Sequence, residues 1–321
     1  MNNNITNVVV LYGGDGYERE VSLRSGAAVI NALTECSGFT VTPFIIDKIT
    51  EIEKLKEMEN TFVFIALHGS WGEDGRIQKQ LELMNIPYSG SNSNSCLLAM
   101  DKNISKEIFV HSGLTVPRGF VFCRNEDILD FSIHNAIEYL GLPCVVKPCV
   151  RGSTVGVTIV NEIKELAQAF ESAFKYDTKA LLEEYIEGKE LTVTILGDTT
   201  PEALPIIEIV PNSGFYGYEE KYTKGATSYI CPAYLDENIA YIVKEEAKIA
   251  HISLGCKVFS RVDIRLSKEN KPYILEVNTV PGMTETSLIP KSAAAAGMSF
   301  SKFLCSVIEM SYERFSKRSF A

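Results

Sequence analysis

Two strand-like stretches, "RVDIRL" (Arg261–Leu266) and "YILEVN" (Tyr273–Asn278), are joined by the short polar turn "SKENKP". A connection of that length reads as an antiparallel hairpin, and a hairpin fixes which side chains share a face. With the loop at 268–271, position 267 faces 272, 265 faces 274 and 263 faces 276. Alternation turns Val262, Ile264 and Leu266 toward a core and leaves Arg261, Asp263, Glu276 and Asn278 together on the other side. Carboxylates directly opposite one another destabilise a sheet unless something neutralises them. A shared proton is one remedy and a divalent cation the other. Asp, Glu and Asn oxygens without His or Cys favour a hard ion, Mg2+ or Mn2+. The plainer alternative is a solvated face with Arg261 and Arg265 as ion-pair partners.

Phosphate is the natural co-ligand of such an ion, and "CVVKPCVRGSTVGVTIV" (Cys144–Val160) offers a place for it. Lys147 sits inside an apolar strand and needs an anion there. The loop "RGSTVG" supplies backbone N–H groups, two hydroxyls and Arg151. It is not a Walker A loop, because G-x-x-x-x-G-K-[ST] is absent and a strand follows. In "ALLEEYIEGKELTV" a hinge at Glu187–Gly188 would expose backbone to a base edge, with Glu190 facing ribose hydroxyls; an ordinary link between units is the alternative. "GGDGYEREVSL" follows the first strand but lacks the third glycine of a dinucleotide fingerprint, so NAD is not expected. Glu18 at its loop-to-helix junction suits a cationic amine. His68 ends a strand ahead of a Gly-rich loop, where ligands bind in parallel sheets, although a lone histidine also serves structure. His111, His134 and His251 are given no role. The stretch "YGYEEKYTKGATSYICPA" is too polar for core and too aromatic for a linker, and reads as a mobile lid.

Around these motifs the first hundred residues alternate strand and helix, the rhythm of a parallel sheet. Strands are expected at "VVVLY", "FTVTPFIID" and "TFVFIAL", and helices at "REVSLRSGAAVINAL" and "DGRIQKQLELMN". "LLAMDKNISKEIFVHSG" reads as one helix ending at Gly113. The tail places Phe300, Phe303, Leu304, Val307 and Ile308 on one helical stripe. Breaks near 100 and 190 divide the chain into 1–100, 101–189 and 190–321, an α/β (α+β) organisation. A net charge of −10 argues against a nucleic-acid partner. No apolar run approaches the roughly 18 residues of a membrane span, and the N-terminus reads as a first strand rather than a signal peptide. The eight cysteines form no CxxC, which fits reduced, mostly buried thiols in a cytosol.

Taken in order, "GGDGYEREVSLRSG", "ALHGSWGEDGRIQ", "IPYSGS", "AMDKNISK", "GLPCVVKPCVRGSTVGV", "LLEEYIEGKELTV", "FYGYEEKYTKGATSYICPA", "GCKVFSRVDIRL" and "YILEVNTVPGMTETSLIPKSAAAAGMSF" resemble the D-alanine–D-alanine ligases, ATP-grasp enzymes of cell-wall synthesis, over nearly the whole chain. The resemblance implies three subdomains, an N-terminal parallel α/β unit and two ATP-grasp units with ATP between two sheets. It implies Lys102 and Lys147 on phosphates, with Ser153 and Thr154 in the loop that closes over them. Glu183 would accept from the adenine amino group, backbone at Tyr185–Ile186 would read the base edge, and Glu190 would take the ribose; Leu275 joins this set. Asp263, Glu276 and Asn278 would hold two Mg2+ (or Mn2+) ions. Glu18 would bind the first D-alanine's ammonium in a hydrogen-bonded set with Ser153 and Tyr222, and His68 belongs with the substrate residues. Arg261 and the Gly282 backbone would stabilise an oxyanion, and Ser287 and Leu288 would hold the second carboxylate. Lys221 and Tyr222 ride on the lid. A homodimer in the cytoplasm is implied as well.

Three departures from the family pattern stand out. Val150 and Arg151 precede Gly152 where Arg-Glu is frequent, Val280 and Glu285 alter the "NTVPGM" region, and "GDGY" replaces a Thr/Ser-rich turn before Glu18. Relatives that make D-alanyl-D-lactate lack the tyrosine at 222, so its presence favours an amine as second nucleophile. The rival readings are a D-alanine–D-lactate or other ATP-grasp carboxylate ligase, a regulatory nucleotide binder with a dead site, and a Rossmann dehydrogenase. The intact metal set, lysines and Arg261 speak against the second.

Overall fold

The computed structural model describes residues 7–35, 38–69, 71–124, 130–217, 220, 221, 223, 225–284 and 286–318. Strands β1 (Asn7–Gly13), β2 (Thr40–Ile46) and β3 (Thr61–Ile65) form a parallel sheet in the order β2-β1-β3. The central run Val8–Leu11 is fully buried, which is why it reads as continuous apolar sequence rather than as an alternation. Helix α1 (Arg19–Thr34) packs on β1 and turns Val21, Val29 and Leu33 inward. Helix α2 (Arg76–Leu83) buries Ile77 and Leu81.

The single helix expected across residues 97–113 is two. Helix α3 (Ser93–Met100) ends at Asp101, whose backbone is extended. That carboxylate accepts from the N–H groups of Asn103 and Ile104 and so starts α4 (Lys102–His111). An aspartate that caps a new N-terminus does more here than continue the old helix.

A second, antiparallel sheet has the order β4-β7-β5-β6, from β4 (Gly119–Cys123), β5 (Cys144–Pro148), β6 (Thr158–Val160) and β7 (Lys179–Glu184). Helix α5 (Asp130–Leu140) contacts β4, and α6 (Leu166–Phe174) packs against β5, β6 and β7. β6 is only three residues long, since 150–157 forms a loop.

The third sheet runs β11-β10-β8-β12-β13, with β9 on β8; its members are β8 (Gly188–Gly197), β9 (Glu202–Ala203), β10 (Ile207–Pro211), β11 (Thr227–Ile230), β12 (Val258–Ser267) and β13 (Pro272–Asn278). Part of the expected lid is therefore sheet: β11 pairs with β10. Helix α7 (Glu237–Ser253) covers this sheet with Val243, Ala247 and Ala250. After α8 (Leu288–Ala295), the last helix α9 (Phe300–Arg318) returns to the first sheet. Its Phe303, Leu304, Val307 and Ile308, all fully buried, share a core with Val8, Val10, Phe62 and Phe64. The first and last thirds of the chain are thereby fixed to each other. Among the described residues no helix is long and apolar enough to cross a membrane. Cys96, Cys144, Cys149 and Cys256 are buried, and Cys123, Cys231 and Cys305 are partly so.

Candidate active site

The site lies where the three sheets converge, and the β12–β13 hairpin is its floor. Asp263 faces Glu276 and Arg261 faces Asn278, the pairing expected from the turn. Closer to the turn the expected register is wrong by one: Arg265 faces Tyr273, and Ile264 faces Ile274. One extra residue, Leu275, is bulged out between Ile274 and Glu276. A bulge re-aims side chains, and here Leu275 and Glu276, adjacent in sequence, both line one pocket. Val262, Ile264 and Leu266 are buried as alternation requires.

Both carboxylates are held by cations. Arg261 grips Asp263 with two bonds, Nε to Oδ1 at 2.9 Å and Nη2 to Oδ2 at 2.7 Å, and the Thr192 hydroxyl donates to Oδ1 at 2.6 Å. Glu276 Oε2 lies 2.9 Å from Lys102 Nζ, which also donates to the Arg151 carbonyl at 2.6 Å. Burial alone would raise the Glu276 carboxyl, but Lys102 and then Lys221 outweigh it and hold it down at about 2. Lys102, opposed by burial, is kept charged above its ordinary range by Glu276. Among the described residues no three His, Cys, Asp or Glu side chains cluster as a closed metal cage. Two carboxylates and an amide on one face of the β12–β13 hairpin instead fit a hard ion that completes its shell with phosphate and water.

On one side of Lys102 and Glu276 lies a pocket between the second and third sheets. Lys147, Thr154, Glu183, Tyr185, Ile186, Glu190 and Lys221 line it, with Asp263 and Leu275. The in-strand Lys147 finds its anion in Glu183, which also pairs with Lys106; all three side chains are less than a tenth exposed. Burial would raise the Glu183 carboxyl, and the two lysines, Lys106 first, keep it below its usual range. Lys106 was not foreseen. Its one signal is its place four residues after Lys102 in α4, on the same helical face. Arg265 donates to Glu190 at 3.2 Å and to the Ile186 and Gly188 carbonyls at 3.1 and 3.0 Å, so it braces the hinge at 187–188. Burial outweighs Arg265 and raises the Glu190 carboxyl.

On the other side is a pocket lined by Glu18, His68, Ser153, Arg261, Asn278, Gly282, Ser287 and Leu288. Lys102, Gly152, Tyr216, Lys221 and Glu276 line both pockets. Ser153 donates to Glu18 across the mouth of the loop. Burial and then the Glu73 carboxylate raise the Glu18 carboxyl, against Ser153, His68 and Lys221. Gly69, at φ +70, passes so close to Glu18 Oε2 that a Cβ would strike it. His68 is buried, with Nε2 2.7 Å from Ser25 Oγ and Nδ1 3.2 Å from the Val280 carbonyl and 3.5 Å from Glu73. It thus ties the first sheet to the segment after β13. At Gly282 a Cβ would lie 3.0 Å from Ser287 Oγ, itself 2.8 Å from Thr284 Oγ1. Tyr222 and Glu285 lie outside the described residues. Glu73 and Ser25 escaped sequence reasoning, since nothing in their local pattern distinguishes them from loop or helix residues, while Tyr216 opens the stretch read as a lid without a role of its own.

The family model for the D-ala D-ala ligase C-terminus matches residues 108–309, and that for the N-terminus residues 47–91. A D-alanine–D-alanine ligase of Desulforamulus reducens is 43% identical over 309 residues, covering 95% of this chain and 98% of the relative. One from Anaeromyxobacter sp. (strain K) is 46% identical over 293 residues, covering 91% and 92%. Among solved structures, the Bacillus anthracis D-alanine–D-alanine ligase complexed with ATP superposes with a TM-score of 0.83 at 35% identity, covering 97% of this chain and 99% of that one. The VanG D-Ala:D-Ser ligase of Enterococcus faecalis does so with 0.79 at 30% identity, covering 96% and 99%.

Proposed function

The chain belongs to the D-alanine–D-alanine ligase family and is an ATP-dependent ligase of the ATP-grasp fold that joins two D-alanines for peptidoglycan synthesis; we propose that its two joined pockets hold ATP and the amino acids respectively. The observation that carries this division is that Lys102 and Glu276 line both pockets, so a transferred phosphoryl group has charged partners on either side.

In this reading Lys102 and Lys147 contact phosphates, Lys147 sharing its charge between Glu183 and a phosphate oxygen. Glu183 accepts from the adenine amino group, the Tyr185–Ile186 backbone reads the base edge, and Glu190 takes the ribose. Ser153 and Thr154 close the loop over the phosphates. Two Mg2+ or Mn2+ ions held by Asp263, Glu276 and Asn278 would neutralise charge on the phosphates. Glu18 holds the first D-alanine by its ammonium. A carboxylate oxygen of that D-alanine attacks the γ-phosphorus and ADP departs, leaving an acyl phosphate. The amine of the second D-alanine, its carboxylate held at Ser287 and Leu288, attacks the acyl carbon. Arg261 and the Gly282 N–H face the oxyanion that forms, and phosphate leaves. Cationic and N–H donors fixed in advance at that point are where such catalysis gains most.

The units 1–100, 101–189 and 190–321, the homodimer and the cytoplasmic setting belong to the same proposal, supported by the three sheets, the family and the use of ATP. Replacing Glu18 by Gln removes one charged partner of the ammonium while keeping the Ser153 contact. The KM for the first D-alanine is expected to rise roughly tenfold or more, with the KM for ATP little changed. A rise confined to ATP, measured by steady-state kinetics, would contradict the placing of Glu18.

A further inference from the structure

The loop 150–156 is clipped at its base to the turn before β7. Val150 N–H donates to Asp177 Oδ2 at 2.7 Å, and Arg151 Nε donates to the Tyr176 carbonyl at 2.9 Å. At its far end Gly156, at φ +72, has room for no Cβ because the Tyr176 ring lies 2.8 Å from where one would sit. At the tip, Ser153 and Thr154 both have left-handed backbones, φ 55 and 60. Conformations of that kind persist only when surrounding contacts hold them. The tip contacts include Ser153 to Glu18 and Thr154 Oγ1 to the Tyr216 carbonyl at 3.2 Å.

A ring contact from the first unit reaches the turn that clips this loop. Tyr17, next to Glu18, meets the Tyr176 ring edge-on, with centroids 6.4 Å apart and planes at 78°. Its side chain is otherwise in solvent, 83% exposed, so it adds little to the core. It also borders a third cavity, behind Glu18, that Arg151, Gly152 and Tyr176 line from the other side. Tyr17 is thus the outer post of a clasp whose inner post is Glu18. The first bears on Tyr176, whose carbonyl and ring hold the two ends of the loop, and the second grips its tip through Ser153.

Resting on the ligase reading above, we infer that Tyr17 is a positioning residue that holds the phosphate loop closed over Glu18 and so couples binding of ATP to binding of the first D-alanine. The contact is made by the ring, not the hydroxyl. Tyr17→Ala should therefore open the loop and Tyr17→Phe should not. An edge-to-face pair shifts such an equilibrium roughly two- to tenfold.

The test reads the loop directly. Trypsin cuts after Arg151, which is exposed but needs the loop to open, and the fragment is identified by mass. In the full chain without added ligand, Tyr17→Ala is expected to be cut at Arg151 about two- to tenfold faster than wild type, with unchanged melting temperature. The KM values for ATP and for the first D-alanine should rise together by a similar factor, kcat staying level. Tyr17→Phe should match wild type in every measurement. Equal cutting rates in wild type and Tyr17→Ala would overturn the inference, as would faster cutting with neither KM altered. Because cutting needs no turnover, a wild-type protein that forms no dipeptide would count against the ligase reading alone.

Discussion

Glu276→Gln is expected to leave the fold in place and to cut D-alanine-dependent phosphate release by about 10²–10³-fold, the size of loss that follows removal of one preorganised electrostatic partner of a transition state. Glu276 is opposite Asp263 across the hairpin, 2.9 Å from Lys102, and on the wall of both pockets. The amide keeps the shape and can still accept from Lys102, but it offers a divalent ion no charge. Weaker Mn2+ binding by titration should accompany the loss. The acid side of the stability curve should change as well. The Glu276 carboxyl titrates at about 2 in the fold against an ordinary 4.5, so its contribution is present above about pH 4.5 and disappears as pH falls through 2. The variant lacks that contribution, and its stability should fall less steeply between pH 5 and pH 2. Undiminished phosphate release would rule out the metal assignment.

Glu183→Gln should show its largest effect on stability. Glu183 sits between Lys106 and Lys147 with all three side chains nearly sealed from solvent. Without the carboxylate two buried ammonium groups face an amide. Breaking a buried pair in that way costs about 3–5 kcal/mol, and thermal unfolding should drop by on the order of ten degrees. Adding Lys106→Met removes one stranded charge, so the double variant should recover part of the loss. A melting temperature within a degree or so of wild type would mean that the two lysines are not held against Glu183 as the structure has them. ATP binding should weaken too, since Lys147 and Glu183 share the nucleotide pocket.

The facing of Asp263 and Glu276 was legible because two one-residue departures cancel: the loop is one residue longer than the four expected, and the bulge at Leu275 takes that residue up. The bulge at Leu275 was not, since one extra residue leaves composition and flanking pattern unchanged. The need of Lys147 for an anion could be read from its apolar neighbours. The identity of that anion could not, because it depends on β5 pairing with β7, which is not its sequence neighbour; Val145 opposite Glu183 brings the two side chains onto one face. The apolar stripe of the last helix was visible, but not the surface it covers. Its partners, Val8, Val10, Phe62 and Phe64, lie in the first fifth of the chain. Asp101 misled because a capping aspartate inside an otherwise helical run looks like one more polar residue. Strand β4 went unread since its residues are half exposed and do not alternate. The individual motifs thus carried the chemistry, while the contacts that join them depended on strand order.

If phosphate passes from ATP to one D-alanine at the seam of Lys102 and Glu276 so that a second can attack, ATP use and dipeptide formation are coupled. The direct measurement is phosphate release with ATP, Mg2+ and D-alanine as the only amino acid, with the product identified by mass and D-lactate offered in competition at neutral pH. One phosphate is expected for each D-alanyl-D-alanine formed, with no release in the absence of D-alanine. Preference for D-lactate as the second substrate, or ATP hydrolysis that ignores D-alanine, would contradict this reaction.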